Sequence, residues 1–201
     1  MQSTLLIFAK PPRMGLAKTR LATAIGPTHA QRINRYCHSQ TMQAARSSRW
    51  KSYLCIAPDK DIHAPTGNLW PSNFVRQAQG KGDLGQRLSL AFRSAPKGPV
   101  IVIGTDAPDI CKSDIHFAFN SLKKHDAVFG PADDGGFWLF GASTQLRRQA
   151  LHFNPVRWSS QYALDDMRQT LPNGTQTKLL HSLIDIDDLD SLKKWSANSK
   201  Q

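Results

Sequence analysis

The 201-residue sequence contains no glutamate: all 15 of its acids are aspartate, and none stands before Asp59. Aspartate is a poor helix former whose short arm holds a carboxylate near the backbone. Its acids are therefore expected at loops, caps and strand ends, where sites are built. Cysteine is scarce. Cys37, Cys55 and Cys111 are odd in number, widely spaced and without a Cys-x-x-Cys pair, which argues against a zinc or dithiol centre and for reduced, buried packing residues. No apolar run approaches the roughly 18 residues of a membrane-spanning helix. The opening run, Leu5 to Ala9, is too short for a secretory core and meets Lys10 rather than a cleavage site, so a cytoplasmic protein is expected. A Gly-x-Ser-x-Gly elbow is missing and the seven histidines are scattered, which weakens a nucleophilic hydrolase.

What is present in excess is positive charge. Lys and Arg number 26, for a formal net charge of +11. Nine of them precede Asp59 and face no acid, so the front of the chain is expected to meet an anion. These cations are spread through a strand, a loop and a helix, without a basic stripe or an RNP-type aromatic signature. A small phosphorylated ligand fits them better than nucleic acid.

Along the chain, strand and helix patterns alternate. Thr4 to Ala9, Ser52 to Ala57, Phe74 to Ala78 and Pro99 to Gly104 read as strands, the last of them central in the sheet. Asp126 to Gly130 and Gly136 to Gly141 read as a late, hairpin-like pair, and Thr177 to Ile186 as a strand in the tail. Helical spacing predicts helices from Thr28 to Ala44 and from Leu84 to Ala95, one capped by Ser113, and others over 145–152, 160–171 and 188–195. This is an α/β pattern with a mostly parallel, mixed sheet in one domain. Ligands of such sheets sit beyond the carboxyl ends of the strands, so the three charged motifs there should converge.

The first motif, KPPRMGLAKTR, ends like a phosphate-binding P-loop but has Pro12 and Ala17 where that loop needs glycine. Its turn glycine, Gly15, and its cations Lys10, Arg13, Lys18 and Arg20 suggest a diphosphate clamp made by side chains. The second, TDAPD, puts Asp106 at the tip of the central strand, a good place for Mg²⁺ or Mn²⁺ completed by water and ligand phosphates. Asp109 reads rather as a cap of the next helix. The third, PADDGG, offers Asp134 as a base or sugar-hydroxyl acceptor, or simply as a turn residue. In the tail, Asp185 and Asp187 share one face of an extended segment, suited to a second contribution to metal binding, and Asp188 suits a helix cap.

Six segments, FAKPPRMGLAKTRLA, QAQGKGDLGQRL, GTDAPDI, GPADDGGFWLFG, VRWSSQYALDDM and LIDIDDLDSL, occur in the order and approximate spacing of the bacterial DUF2064 family, which the chain resembles from about Leu5 to Leu192. That family is grouped with glycosyltransferases and nucleotide-diphospho-sugar transferases of GT-A type and is more distantly similar to guanylyltransferases of molybdenum-cofactor and F420 synthesis. The resemblance implies a single GT-A-like, Rossmann-type domain over 1–201 with helices on both sheet faces. A nucleotide-binding half would span about 1–110 and an acceptor-side half about 111–201. Phe8, Ala9 and Lys10 would line the nucleoside pocket, Gly15, Lys18 and Arg20 the phosphates, and Gly82, Asp83 and Arg87 would close over the nucleotide. Asp106 and Asp187 would hold Mg²⁺ or Mn²⁺, Asp134 would be catalytic, and Gly135, Gly136, Trp158 and Ser159 would face the transferred group and acceptor. The chain departs from the family pattern at Trp158-Ser159-Ser160, where Trp-Gly-Thr/Ser is usual, and at Asp188-Leu189-Asp190. The activity implied is metal-dependent sugar transfer from a nucleoside-diphosphate sugar to an acceptor that the sequence does not name. The alternatives are nucleotidyl transfer from a nucleoside triphosphate with release of pyrophosphate, and non-catalytic binding of a nucleotide or nucleic acid.

Overall fold

The first strand, β1 (Ser3–Ala9), is apolar from Leu5 to Ala9 because both of its faces are covered. Leu5, Ile7 and Ala9 point into one core and Leu6 into the other. The computed structural model describes residues 2–198 and builds seven strands around β1. They are β1, β2 (Trp50–Ile56), β3 (Val75–Ala78), β4 (Val100–Ile103), β5 (Ala127–Pro131), β6 (Phe137–Ala142) and β7 (Thr177–Leu179). Their spatial order is β3-β2-β1-β4-β6-β5-β7, and β6 alone runs against its neighbours. This is a single α/β domain with a mostly parallel, mixed sheet.

Six helices accompany the sheet: α1 (Thr19–Ile25), α2 (Pro27–Ala44), α3 (Leu84–Ser94), α4 (Lys112–Ser121), α5 (Ala163–Gln169) and α6 (Leu189–Asn198). α2 and α4 bury Met42, Ile115 and Phe119 on the face of Leu5 and Ile101. α3 and α5 bury Leu88, Phe92 and Met167 on the face of Leu6 and Val102. A third, smaller cluster joins Leu21 of α1, Cys37 of α2 and Ile186, with Leu192 and Trp195 of α6 against it.

Chain order places the crevice. From β1 the chain moves outward to β2 and β3, then returns to β4 on the other side of β1. Connections therefore diverge between the carboxyl ends of β1 and β4, the switch point at which open α/β sheets bind ligands. Because β6 is antiparallel, the turn leading into it lies at this same edge, with Leu139 opposite Ile103. Beyond β7 the chain keeps following β5, Leu183 N–H donating to Pro131 O, and then Ile186 N–H donates to Asp106 O at 3.0 Å. The end of the protein thus returns to the tip of β4.

Several sequence expectations change here. The seven-residue α1 was not expected, since its TRLATAI sequence is too short for a helical period and buries Leu21 alone. α2 begins at Pro27 with Gly26 as its N-cap, not at Thr28. α4 is capped by Cys111, whose backbone N–H donates to Asp114, not by Ser113, and Cys111 is exposed rather than buried. Asp109 caps nothing and accepts from Trp195 Nε1 at 2.9 Å. The tail strand stops at Leu179; beyond it the chain follows β5 only by single bonds, Leu180 N–H to Phe129 O and Leu183 N–H to Pro131 O, and Pro131 has no N–H to return. The helix expected over 145–152 is only a 3₁₀ turn, Leu146–Arg148. Arg147 explains its arrest: the guanidinium donates to the carbonyls of Phe92, Ala95, Pro96 and Gly98, pinning the turn to the end of α3.

Replacing Arg147 by Met strands those carbonyls in part-buried surroundings. Urea unfolding of Arg147→Met is expected to show a loss of about 1–3 kcal/mol with little change in m value. Wild-type stability in this variant would contradict the pinning role.

Candidate functional site

At the switch point lies a cleft of about 610 Å³. β1 supplies Phe8 and Ala9, with Lys10 immediately after it; the following loop and α1 supply Lys18, Thr19 and Arg20. Gly104, Thr105 and Asp106 follow β4, Asp134 and Gly136 precede β6, and Asp185 and Asp187 arrive from the tail. The far wall is Trp158, Ser159, Ser160 and Gln161.

The centre of the cleft is Lys18. Its backbone is left-handed (φ 54°, ψ 41°) at the start of α1, which turns the side chain inward, and that side chain is only 1 % exposed. The ammonium donates to Asp106 Oδ1 at 2.7 Å and to the Ile186 carbonyl, and stands 3.7 Å from Asp187 Oδ1. Burial alone would lower the Lys18 pKa, but Asp106 with Cys37 and Asp187 outweighs it and the net shift is upward. A buried ammonium is tolerable only when surrounded by oxygens in this way. Arg20, on the exposed rim, lies 3.6 Å from Asp187 Oδ2.

The acids are crowded. Burial first, and then Asp106, Asp187 and Asp134, push the Asp185 carboxyl well above the usual carboxylate range. Asp185 has no hydrogen-bond or ion-pair partner among the described residues, of whose side-chain atoms only Thr4 Oγ1 is sealed and unsatisfied. Asp187 is raised for the same first reason and by Asp106, with Lys18 and Arg20 opposing. The donor set around the ammonium consists of hard oxygens, which suits Mg²⁺ or Mn²⁺. Among the described residues no group of three His, Cys, Asp or Glu is placed to hold a metal by itself. An ion here would take Asp106 and Asp187 and complete its shell with water and ligand.

On the opposite wall the turn before β6 is built for close approach. Asp134 Oδ1 accepts from Gly136 N–H at 2.8 Å, and Gly135 (φ +85°) lies so near the 158–161 segment that a Cβ would come 2.1 Å from Gln161 O. Arg157 and Asp166 clasp that segment, with Nε and Nη2 each 2.8 Å from a carboxylate oxygen. Ser159, where the family pattern has glycine, keeps a left-handed backbone (φ 57°).

Of the residues expected from sequence, Phe8, Ala9, Lys10, Lys18, Arg20, Arg87, Asp106, Asp134, Gly136, Trp158, Ser159 and Asp187 line this one cleft. Four do not. Gly15 is a turn (φ +81°) outside it, and Gly135 is spent on Gln161. Asp83 caps α3 in a reciprocal box with Gln86, and Gly82 (φ +100°) makes the turn into that box. Helix geometry occupies both, leaving Leu84 and Arg87 as the parts of that segment facing the cleft, with Arg87 held by Gln79 Oε1 at 2.6 Å. Sequence reasoning missed Gln79, Thr105, Asn34 and His38. The α2 pair carried one signal: two polar residues at i, i+4 on the helix's buried face.

The family described as "Uncharacterized protein conserved in bacteria (DUF2064)" matches residues 40–160. No curated protein matches. A "putative nucleotide-diphospho-sugar transferase" from Desulfovibrio desulfuricans G20 is 25% identical, with a TM-score of 0.82 over 100% of this chain and 89% of that one. A 4-diphosphocytidyl-2C-methyl-D-erythritol synthase from Anaerococcus prevotii DSM 20548 shares the fold at 12% identity, with a TM-score of 0.62 over 100% and 99% of the chains. So does the manganese complex of Rv0371c from Mycobacterium tuberculosis H37Rv, at 12% identity and a TM-score of 0.58 over 96% and 97%.

Two outcomes follow from the site's electrostatics. Asp185→Asn removes a carboxyl whose ionisation burial and the neighbouring acids oppose, so the ligand-free variant is expected to melt about 2–4 °C higher than wild type, as one kilocalorie is worth in a domain of this size. A lower melting point would show that the carboxylate is compensated. Arg157 holds Asp166 down to about 2 through side-chain and backbone hydrogen bonds. A depressed carboxylate stabilises fully above its unfolded value of about 3.9 and loses that contribution as pH falls through about 2. Acid titration of wild type against Asp166→Asn should therefore show the two stability curves converging over that window.

Proposed function

Since the chain belongs to the DUF2064 family, we propose that it is a metal-assisted transferase whose donor is a nucleoside-diphosphate sugar. One observation carries the reading: a single cleft at the β1/β4 switch point gathers Lys10, Lys18, Arg20 and Arg87 beside Asp106 and Asp187. The relative from D. desulfuricans, at 25% identity over nearly its full length, supports the same reaction class by its name.

In this reading the half before about residue 110 holds the nucleotide and the remainder faces the acceptor. Phe8, Ala9 and Lys10 line the nucleoside end, and Lys10, Arg20 and Arg87 reach the diphosphate from the open side. Asp106 and Asp187 would hold Mg²⁺ or Mn²⁺; a divalent ion supplies Lewis-acid stabilisation of charge on the leaving diphosphate. The manganese complex of a protein of the same fold is consistent with that choice of ion. Lys18 stays within reach of both carboxylates and of the developing negative charge. Asp134 has one oxygen on Gly136 N–H and the other uncommitted. In an inverting displacement the acceptor hydroxyl attacks the anomeric carbon, the bond from that carbon to the diphosphate breaks, and Asp134 takes the hydroxyl proton. Gly136, Trp158 and Ser159 border the transferred group.

The cytidylyl-transferring relative by name, sharing the fold, keeps nucleotidyl transfer as a second reading. There a nucleoside triphosphate and a phosphorylated acceptor would release pyrophosphate.

Thermal shift with UDP, GDP, their sugar conjugates and the corresponding triphosphates, with and without Mn²⁺, tests the proposal. A ligand at one hundred times its Kd adds about 2.7 kcal/mol, which raises the melting point by about 5–10 °C. At least one of these nucleotides is expected to do so with Mn²⁺, the effect being lost in Asp106→Asn. No shift with any nucleotide overturns the reading, and pyrophosphate release from a triphosphate would select the second one.

A further inference from the structure

α2 lays two polar side chains one turn apart against the floor of the cleft. Asn34 and His38 are 2 % and 1 % exposed, and both line the cleft. Thr41, further along the same buried face, satisfies its hydroxyl internally on Cys37 O. Asn34 and His38 do not: the Asn34 carboxamide and the His38 Nε2 have no hydrogen-bond partner among the described residues. Neither is among the sealed unsatisfied atoms, of which Thr4 Oγ1 is the only one described, so their polar atoms open onto the cleft.

The tautomer of His38 is fixed by its hydrogen bond with Trp70. Trp70 Nε1, which can only donate, points at His38 Nδ1 from 3.1 Å, with the rings stacked at 6.0 Å between centroids. Nδ1 must therefore be bare, and the ring proton sits on Nε2. Burial first of all depresses the His38 pKa, to about 4, despite Asp106 nearby, so the ring stays neutral. The result is an oriented, uncharged N–H donor with a carboxamide one helical turn away.

We infer that Asn34 and His38 form a recognition subsite for an uncharged oxygen of the ligand, a hydroxyl or carbonyl of its sugar portion, rather than for phosphate. The inference rests on the transferase reading above. A phosphoryl group seated on Asn34 and His38 would meet two neutral side chains, whereas Lys10, Lys18, Arg20 and Arg87, and an ion held by Asp106 and Asp187, offer it charge elsewhere in the cleft. A hydroxyl needs no charged partner and matches both a fixed donor and an amide that donates and accepts. A buried donor left unpaired without its ligand discriminates strongly against analogues that lack the matching oxygen.

The probes are UDP, GDP, UDP-glucose, GDP-mannose and inorganic pyrophosphate. Long-range ¹H–¹⁵N spectra of the labelled protein are expected to show His38 as the Nε2–H tautomer and its Nε2 signal moving with a sugar-bearing probe but not with pyrophosphate. His38→Leu and Asn34→Leu should each weaken the bound nucleotide or nucleotide sugar about tenfold while leaving pyrophosphate binding unchanged. His38→Gln, which restores a donor, should recover most of the loss. Because Asn34 has no protein partner to lose, its variant stays informative if His38→Leu disturbs Trp70. An Nδ1–H tautomer, or wild-type affinity in both leucine variants, overturns the subsite and leaves the transferase reading standing. Failure of every probe to bind wild type overturns both.

Discussion

One buried ammonium ties this structure together. Lys18 reaches from the loop after β1 to Asp106 beyond β4 and to the Ile186 carbonyl and Asp187 in the tail, so three distant stretches of chain meet on a single charge. An isolated cation in that position would be prohibitively costly, and so would the crowded acids without it. Each half of the arrangement makes the other tolerable. The Ile186 N–H on Asp106 O adds a backbone bond to the same junction, and the cleft exists because the junction closes its floor. Lys18 is thus structural before it is functional, and any ligand must be accommodated around a charge already in use.

The absence of glutamate acquires a physical meaning at this junction. Asp106 and Asp134 emerge beside strand ends and Asp185 and Asp187 from the irregular tail, and each is short enough to hold its carboxylate near the backbone that positions it. A longer arm would carry more conformers and define the spacing less sharply. Further aspartates serve as fasteners: Asp83 and Asp188 cap helices, Asp166 clasps Arg157 and Asp109 receives Trp195. Asp185 stands apart as an acid that brings burial without a partner, the form that a site adapted to a cationic or hydrogen-donating ligand takes.

What could be read from the sequence was whatever a buried strand writes locally. TLLIFA and PVIVIG are continuous apolar runs since helices cover both faces, and their ends carry the charged motifs; hence the sheet, the switch point and most of the cleft residues were foreseeable. Long-range bonds were not. The 3₁₀ turn at Leu146–Arg148 ends early because Arg147 has four carbonyls waiting more than 40 positions away. Gly82 and Asp83 look like nucleotide-closing residues in a motif, yet their geometry is consumed by the α3 cap, and motif identity alone does not distinguish the two uses. The bond from Trp70 to His38 spans 32 positions and defines the polarity of a ring that in sequence is only one more scattered histidine.

The division of the cleft's cations completes the electrostatic picture. Lys18 is committed to acids, whereas Arg87 meets only the neutral Gln79, Lys10 is exposed without a partner among the described residues and Arg20 holds only a loose, rim-side contact with Asp187. Positive potential available to a newcomer therefore sits at the entrance, while the interior is acidic around one internal counter-ion and neutral along α2. Such a gradient orders a ligand by its own charge. Its anionic part is drawn to the entrance cations and to an ion that Asp106 and Asp187 would hold, and its uncharged part suits the neutral floor at Asn34 and His38. A molecule with a diphosphate at one end of a polyhydroxyl ring meets both conditions at once; a bare polyanion meets only the first.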